Sequence, residues 1–301
     1  MSARSGLPPL HLLLALGVMA VWGTNFVVIK LALAHLPPLT LATLRFTLAF
    51  LPMALFIKRP AVPLRNLAAY GVLIGAGQFG LLFTAMRADI TPGLASLVVQ
   101  TQVFITIGLS MRLTGEKIAL YQVAAMALAV AGLGVIGWHT DGSATPLGLL
   151  LVLGAALSWS LGNMTARAAG PVPMLNYVVW SSVFAVPPLF AMALLTEGWP
   201  RISEGIAAAD SATWAAVVWQ AVGNTMFGYA AWGWLLGQHP AAQVAPLALL
   251  VPVFGLGSSA LLLGEPLQWW KILAFVLVMA GLSLGVLWPR FMTKNKVMAR
   301  P

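Results

Sequence analysis

The sequence predicts an all-α integral membrane protein of ten transmembrane helices, folded as two inverted five-helix repeats around a central cavity. Three observations predict it. The composition, 60% hydrophobic and 8% charged with a mean hydropathy of +0.92, lies far from the roughly 25% charged residues of a soluble domain. The apolar residues fall in blocks near the ~20 residues that cross a bilayer. Two parts of the chain also repeat one another at fixed spacing.

The spans, in order, are Leu10 to Ile29, Thr40 to Ile57, Leu67 to Met86, Gly93 to Met111 and Ile118 to Trp138, then Leu147 to Ala166, Asn176 to Thr196, Trp214 to Leu236, Val244 to Leu263 and Leu267 to Leu287. Breakers separate them: Pro37-Pro38, Lys58-Arg59-Pro60, Thr91-Pro92-Gly93, Thr114-Gly115-Glu116-Lys117 and Gly170-Pro171. Loops and tails then average about nine residues, too short for a folded domain outside the membrane, so any chemistry lies within the bundle. The longest connection, Glu197 to Thr213, has room for a short surface helix. Met1 to Ala20 weakly resembles a signal peptide, but the apolar run continues to Ile29 without a cleavage motif and reads as an uncleaved first helix.

The formal charge of +9 does not indicate nucleic acid, because the basic residues sit between apolar blocks rather than on one water-facing surface. Their distribution gives an orientation instead, since cytoplasmic loops retain lysine and arginine. One side holds Arg4, Lys58, Arg59, Arg65, Arg112, Lys117, Arg167, Arg290, Lys294, Lys296 and Arg300; the other holds Lys30, Arg87, Arg201 and Lys271. Eleven against four predicts both termini in the cytoplasm. Trp138, Trp199, Trp214, Trp269, Trp270 and Trp288 lie near predicted interfaces, where indoles anchor a protein in lipid.

Leu14-Ala-Leu-Gly17, Trp22 and Lys30 align with Leu151-Val-Leu-Gly154, Trp159 and Arg167 at a separation of 137 residues. Gly115-Glu116, Tyr121 and Ala131-Gly132 align with Gly264-Glu265, Trp270 and Ala280-Gly281 at 149. The extra twelve residues belong in the long connection after Glu197. The units are residues 7–138 and 147–288, with a linker at 139–146 and a cytoplasmic tail at 289–301. Five spans per unit is odd, so the second unit enters the membrane upside down, the arrangement in which secondary transporters hold substrate near the midplane.

Trp22-Gly-Thr-Asn-Phe-Val-Val-Ile-Lys30, Leu44-Arg45-Phe46, Gly115-Glu116, Gly264-Glu265-Pro266 and Pro252-Val-Phe254 resemble the tandem EamA repeats of the drug/metabolite transporter superfamily. Pro37-Pro38, Gly93-Leu-Ala-Ser-Leu97 and Ala245-Pro-Leu-Ala-Leu-Leu-Val-Pro252 are similar to segments of its bacterial amino-acid and cysteine-metabolite exporters. The resemblance covers Leu10 to Leu287. It implies a multi-pass protein of the bacterial inner membrane that exports amino acids or related small metabolites, with the fifth and tenth spans peripheral and the others around the cavity.

Polar side chains inside spans are costly in hydrocarbon and usually face the bundle interior or a wet cavity. The midplane set is Asn25, Gln78, Gln100, Gln102, Asn163 and Asn224, with Trp22, Trp159, Tyr229 and Trp232 nearby. Amides donate and accept, which suits a ligand carrying an ammonium and a carboxylate; indole and phenol faces add apolar and cation-π contacts. Each amide is open to a second use, as glue between helices. Gly71 with Gly75, and Gly281 with Gly285, have the spacing of close helix contact. Pro246 and Pro252 remove backbone donors in the ninth span, forming either a gating kink or a fixed bend. Arg45 is the single charge within a span, available to attract a carboxylate, to pair with a loop carbonyl or to snorkel outward. Lys30 and Arg167 hold equivalent helix ends as anchors.

All seven acids lie in loops or at span ends, so the interior lacks the carboxylate with which a pump for lipophilic cations neutralises cargo and carries a proton. The expected cargo is a net-neutral zwitterion, moved passively or coupled through a peripheral group. Motifs of metalloproteases, hydrolases and phosphate-binding loops are absent, which argues against an enzyme. His11, His35, His139 and His239 do not form a metal-binding pattern, and no cofactor is expected. The alternatives are a carrier of sugars, nucleobases, drugs or other neutral metabolites, and a channel, although no filter or charged ring is recognisable.

Overall fold

The computed structural model describes residues 7–114, 119–139 and 141–298; Arg4, Gly115, Glu116, Lys117, Ile118 and Arg300 lie outside them. Eleven helices are described: α1 (Pro9–Ala32), α2 (Pro38–Leu55), α3 (Leu64–Ala88), α4 (92–114), α5 (Leu120–Trp138), α6 (Pro146–Ala168), α7 (Met174–Thr196), α8 (Gly198–Ala208), α9 (211–238), α10 (241–263) and α11 (Trp269–Met298). Nine are long and apolar enough to cross a membrane. The tenth spanning helix, α9, is about 40 Å long at 1.5 Å per residue, and its apolarity is diluted by Gln220, Asn224 and Thr225. The surface helix α8 occupies the long connection, where the extra residues of the second half were expected. The last helix continues past the expected end of the tenth span to Met298.

Proline starts several helices, at the first turn of α1, α2, α4 and α6, where its missing N–H has no intrahelical partner to lose. Outer faces carry Leu10, Leu55, Leu195, Leu261 and Val276 largely exposed, an arrangement that lipid, not water, satisfies. Of the tryptophans expected at interfaces, Trp138, Trp199, Trp214, Trp269 and Trp288 are exposed, but Trp270 is not: it is 4% exposed and stacks on His139 at 4.6 Å.

The packing repeats when the halves are exchanged. α1 lies against α10, as α6 lies against α4; α3 packs on α6 and α7, as α9 packs on α1 and α2. Two pairs map onto themselves, α2 with α7 and α5 with α11. The backbone shares the symmetry: α3 has a wide π turn at Leu73–Gly80, and its counterpart α9 has one at Gln220–Phe227. Each unit has five crossings, so the two are inverted. With ten crossings, the start of α1 and the end of α11 lie at one end of the bundle, called here the terminal end, opposite the far end.

Close contacts follow the small residues. A Cβ added to Gly71 would run into the Ser181 carbonyl oxygen, and one on Gly75 into the Ala185 Cβ, so α3 and α7 meet almost backbone to backbone. Gly281 meets the Ala125 carbonyl across α5 and α11, while Gly285 has ordinary room. Gly75→Leu is therefore expected to lower the stability of the purified protein by about 1–3 kcal/mol through overpacking, seen as a lower melting temperature, with Gly285→Ala as the near-neutral control.

The far end is tied by carboxylates. Glu197 accepts from the Leu39 and Thr40 backbone N–H groups at 2.6 and 3.1 Å and from the Thr40 hydroxyl at 2.7 Å, capping α2. Glu265 accepts from the Gly93 N–H at 3.1 Å, the Thr91 hydroxyl and the buried Lys271 ammonium at 3.2 Å. Asp210 caps α9 through the Thr213 N–H and hydroxyl, which hold its carboxyl below the usual carboxylate range. Ile90 and Ala144 form an antiparallel bridge between the α3–α4 and α5–α6 connections, flanked by Thr91 N–H to Ser143 oxygen at 2.9 Å and Thr145 N–H to Asp89 oxygen at 2.8 Å.

Candidate functional site: a polar cavity between the repeats

A cavity of about 830 Å³ lies between the two units, within the range of small-molecule sites. Its wall extends to Val172, Pro173, Met174, Trp234, Leu236 and Ala245 near the terminal end and stops at Ile29 and Leu82 toward the far end. Among the described residues, none of the far-end connections lines it. The cavity is thus a pocket approached from the terminal end and blind at the other.

The wall includes Trp22, Asn25, Gln78, Gln100, Gln102, Trp159, Asn163, Asn224, Tyr229 and Trp232, the ten residues singled out from sequence. They come from α1, α3, α4, α6 and α9. Pro252 and Arg45 do not line it. Pro252 is buried midway along α10, in the first turn of its regular α-helical part, Val251–Leu263, directly after the 3-10 stretch Ala245–Leu250 that contains Pro246, and it is the neighbouring Ala245, Ala248, Leu249 and Val251 that face the space. α2 gives nothing to the wall and α7 only its first turn, whereas α11 gives Leu282 and Val286. The tenth span is therefore less remote than the resemblance implied. Phe79, Tyr70 and Trp234, absent from the sequence-based set, also line the cavity; aromatic residues inside apolar spans carry no polar signal that would separate wall from core.

Hydrogen bonds separate the groups already used from those left without a partner. The Trp22 Nε1–H donates to the Asn224 carbonyl at 3.1 Å, and Trp22 packs at 5.7 Å from Tyr229 and 5.6 Å from Trp232, forming an aromatic wall. Asn163 donates one amide hydrogen to Gln102 Oε1 at 3.2 Å, which leaves its carbonyl oxygen and its second N–H. Gln78, 4% exposed, has no hydrogen-bond partner for Oε1 among the described residues, an acceptor that burial makes costly to leave unmatched. Two amides thus keep an acceptor beside aromatic faces, a setting that suits an ammonium group.

Arg45 neither snorkels nor meets a loop carbonyl. It is 1% exposed, donating to the Gln220 and Thr225 side chains at 3.1 Å each, with its guanidinium 3.7 Å from the Phe79 ring centroid. Gln220 was missed because it sits near the assumed start of its span; the helix begins earlier, at Ser211, and the polar set Gln220, Asn224 and Thr225 falls on the π turn. Lys30 donates to the Met86 and Arg87 carbonyls at 3.0 Å each, tying α1 to the end of α3. His11 and His239 meet at 2.6 Å, and among the described residues no group of three or more metal-ligating side chains exists.

The EamA-like transporter family model matches residues 9–138 and 146–287, once per unit. The chain belongs to that family. It is 42% identical over 283 residues to the "Probable amino-acid metabolite efflux pump" of Salmonella typhimurium, covering 91% of this chain and 93% of that one. To the protein of the same description from Escherichia coli K12 it is 41% identical over 295 residues, covering 94% and 97%. A solved structure, titled "Crystal structure of protein", shares the fold with a TM-score of 0.61 at 19% identity, covering 95% of this chain and 99% of that chain. This EamA-family chain is accordingly a multi-pass membrane transporter of small molecules, not an enzyme.

Proposed function

We propose that this family member exports amino acids or closely related zwitterionic metabolites across the bacterial inner membrane by alternating access, with the terminal end cytoplasmic. The cavity carries the proposal: it joins acceptors at Gln78 and Asn163 to aromatic faces and has no acidic residue in its wall among the described residues, a chemistry matched to a compact molecule of balanced charge rather than to a lipophilic cation. The description of the Salmonella and Escherichia relatives as amino-acid metabolite pumps points the same way. Orientation is supported by the charges: the terminal end carries the excess of lysine and arginine, whereas at the far end Lys30 and Lys271 are committed to internal bonds. The cavity then faces the cytoplasm, where an exporter collects cargo. The ten wall residues singled out from sequence are proposed as the binding set, with lipid around the apolar faces.

The test is counterflow into proteoliposomes holding the purified protein, over a panel of labelled amino acids, sugars and nucleobases. Saturable accumulation of one or more amino acids is expected, with Gln78→Leu lowering apparent affinity by about tenfold through loss of a buried acceptor. Counterflow of sugars or nucleobases alone would replace the cargo, and flux that neither saturates nor exchanges would replace the carrier by a pore.

A further inference from the structure

The membrane interior of this protein holds a guanidinium for which no salt-bridge partner exists among the described residues. Burying such a charge is expensive unless something compensates it. The compensation Arg45 has is neutral: the Gln220 carbonyl oxygen, the Thr225 hydroxyl and the face of Phe79. Its Nε has no partner at all among the described residues. The group lies some seven residues into α2 from the far end, beside the π turns of both α3 and α9, and so stands behind the blind end of the cavity.

A guanidinium only donates, and that fixes the direction of everything attached to it. Gln220 Oε1 accepts from Arg45 at 3.1 Å. The Gln220 amide must then point the other way, and its Nε2–H donates to Asn25 Oδ1 at 2.8 Å. Asn25 Oδ1 is thereby turned onto Gln220, and one of the Asn25 amide hydrogens leans back on Gln220 at 3.4 Å, a weak contact, which leaves the other N–H for the cavity. Asn25 and Phe79 both line the cavity. The blind end therefore presents an oriented amide donor and, one ring away, a positive charge without a counter-ion among the described residues.

We infer that this end of the cavity is a carboxylate subsite, in which the cargo's carboxylate accepts from Asn25 while Arg45, acting through Gln220 and across Phe79, supplies the counter-charge. Arg45 is a positioning residue: it orients the amide relay and sets the sign of the potential without lining the wall. The opposite pole of the cargo is then left for the Gln78 and Asn163 acceptors. Cargo lacking a carboxylate forgoes this attraction and binds more weakly, organic cations most of all. The inference deepens the export reading and rests on it for its biological use, but binding can be tested apart from transport.

The experiment compares each amino acid of the panel with its own carboxamide, which keeps the ammonium and side chain and loses the anion. Two readouts use the full-length protein: competition against counterflow in proteoliposomes, and the melting temperature in detergent. In the wild type the carboxamide is expected to compete at least about tenfold more weakly than the acid, the worth of one charge-assisted hydrogen bond, and only the acid is expected to raise the melting temperature. Arg45→Gln, which can reverse the relay, is expected to narrow the gap to within about threefold by weakening the acid; Arg45→Lys, which still donates and is charged, keeps most of it. Acid and carboxamide competing and stabilising equally in the wild type, no stabilisation by either across the panel, or a gap unchanged in Arg45→Gln would overturn the inference. If no amino acid is transported yet acids still stabilise the wild type selectively, the export reading falls and the subsite stands. If Arg45→Gln does not fold, the wild-type pair comparison together with Arg45→Lys decides.

Discussion

Glu265→Ala is expected to lower the stability of this transporter by about 3–5 kcal/mol, the usual cost of removing one partner of a buried ion pair. The Lys271 side chain is fully buried and pairs with Glu265 at 3.2 Å, so the substitution strands an ammonium in the packed far end. The same carboxylate also receives the Gly93 N–H and the Thr91 hydroxyl, so the first turn of α4 loses its cap at once. The reverse substitution is milder: Lys271→Met leaves Glu265 with two donors. Replacing both residues by methionine removes the stranded charge and recovers stability relative to Glu265→Ala, since a buried pair exchanged for apolar groups of similar volume is often neutral. Thermal melts of the four purified proteins read the order directly. A Glu265→Ala melting curve superposing on the wild type would show that the pair and the cap carry no weight in this fold.

The far-end carboxylates also show what a sequence of this composition discloses. Span positions were legible because the apolar blocks are long and their breakers are strong, and the internal repeat because Trp22 with Lys30 and Trp159 with Arg167 keep one spacing. The midplane amides were conspicuous for the same reason, as polar exceptions in apolar text; the structure brings all six to one cavity wall. What stayed hidden depends on partners distant in the chain. Nothing near Trp270 says that His139 will cover it, so it read as a lipid anchor. For Arg45 the sequence left open a carboxylate, a loop carbonyl or an outward reach, because its partners, Gln220 and Thr225, lie 175 and 180 residues away. The π turns left no local mark either, although the Thr225 hydroxyl bonding back to the Gln220 carbonyl across five residues at 2.9 Å marks the wider turn once seen. Irregular turns of this kind concentrate at functional sites, and here both lie against the charged side of the cavity.

A disulfide between Ile90→Cys and Ala144→Cys is expected to abolish counterflow, leaving less than about a twentieth of the wild-type rate if transport needs the far end to part as inverted repeats rock. The pair is suited to the test by its backbone. Ile90 and Ala144 face one another in an antiparallel bridge whose flanking bonds, Thr91 to Ser143 and Thr145 to Asp89, lie on either side of the pair. Such non-bonded pairs bring the Cα atoms to about 4.5 Å, within reach of a disulfide. The sequence has no cysteine of its own, so the introduced pair has no native thiol to compete with it within the chain. The link joins the α3–α4 connection of one unit to the connection that leads into the other, at the end where the cavity is blind. Oxidation should therefore hold the cargo pocket facing the terminal end: carboxylate-dependent stabilisation in detergent persists while exchange stops, and reduction restores exchange. Full activity with the disulfide formed would mean that this seam stays shut throughout the cycle, and the path to the far side would then have to open elsewhere, beside the Glu197 cap on α2 or the Asp210 cap on α9.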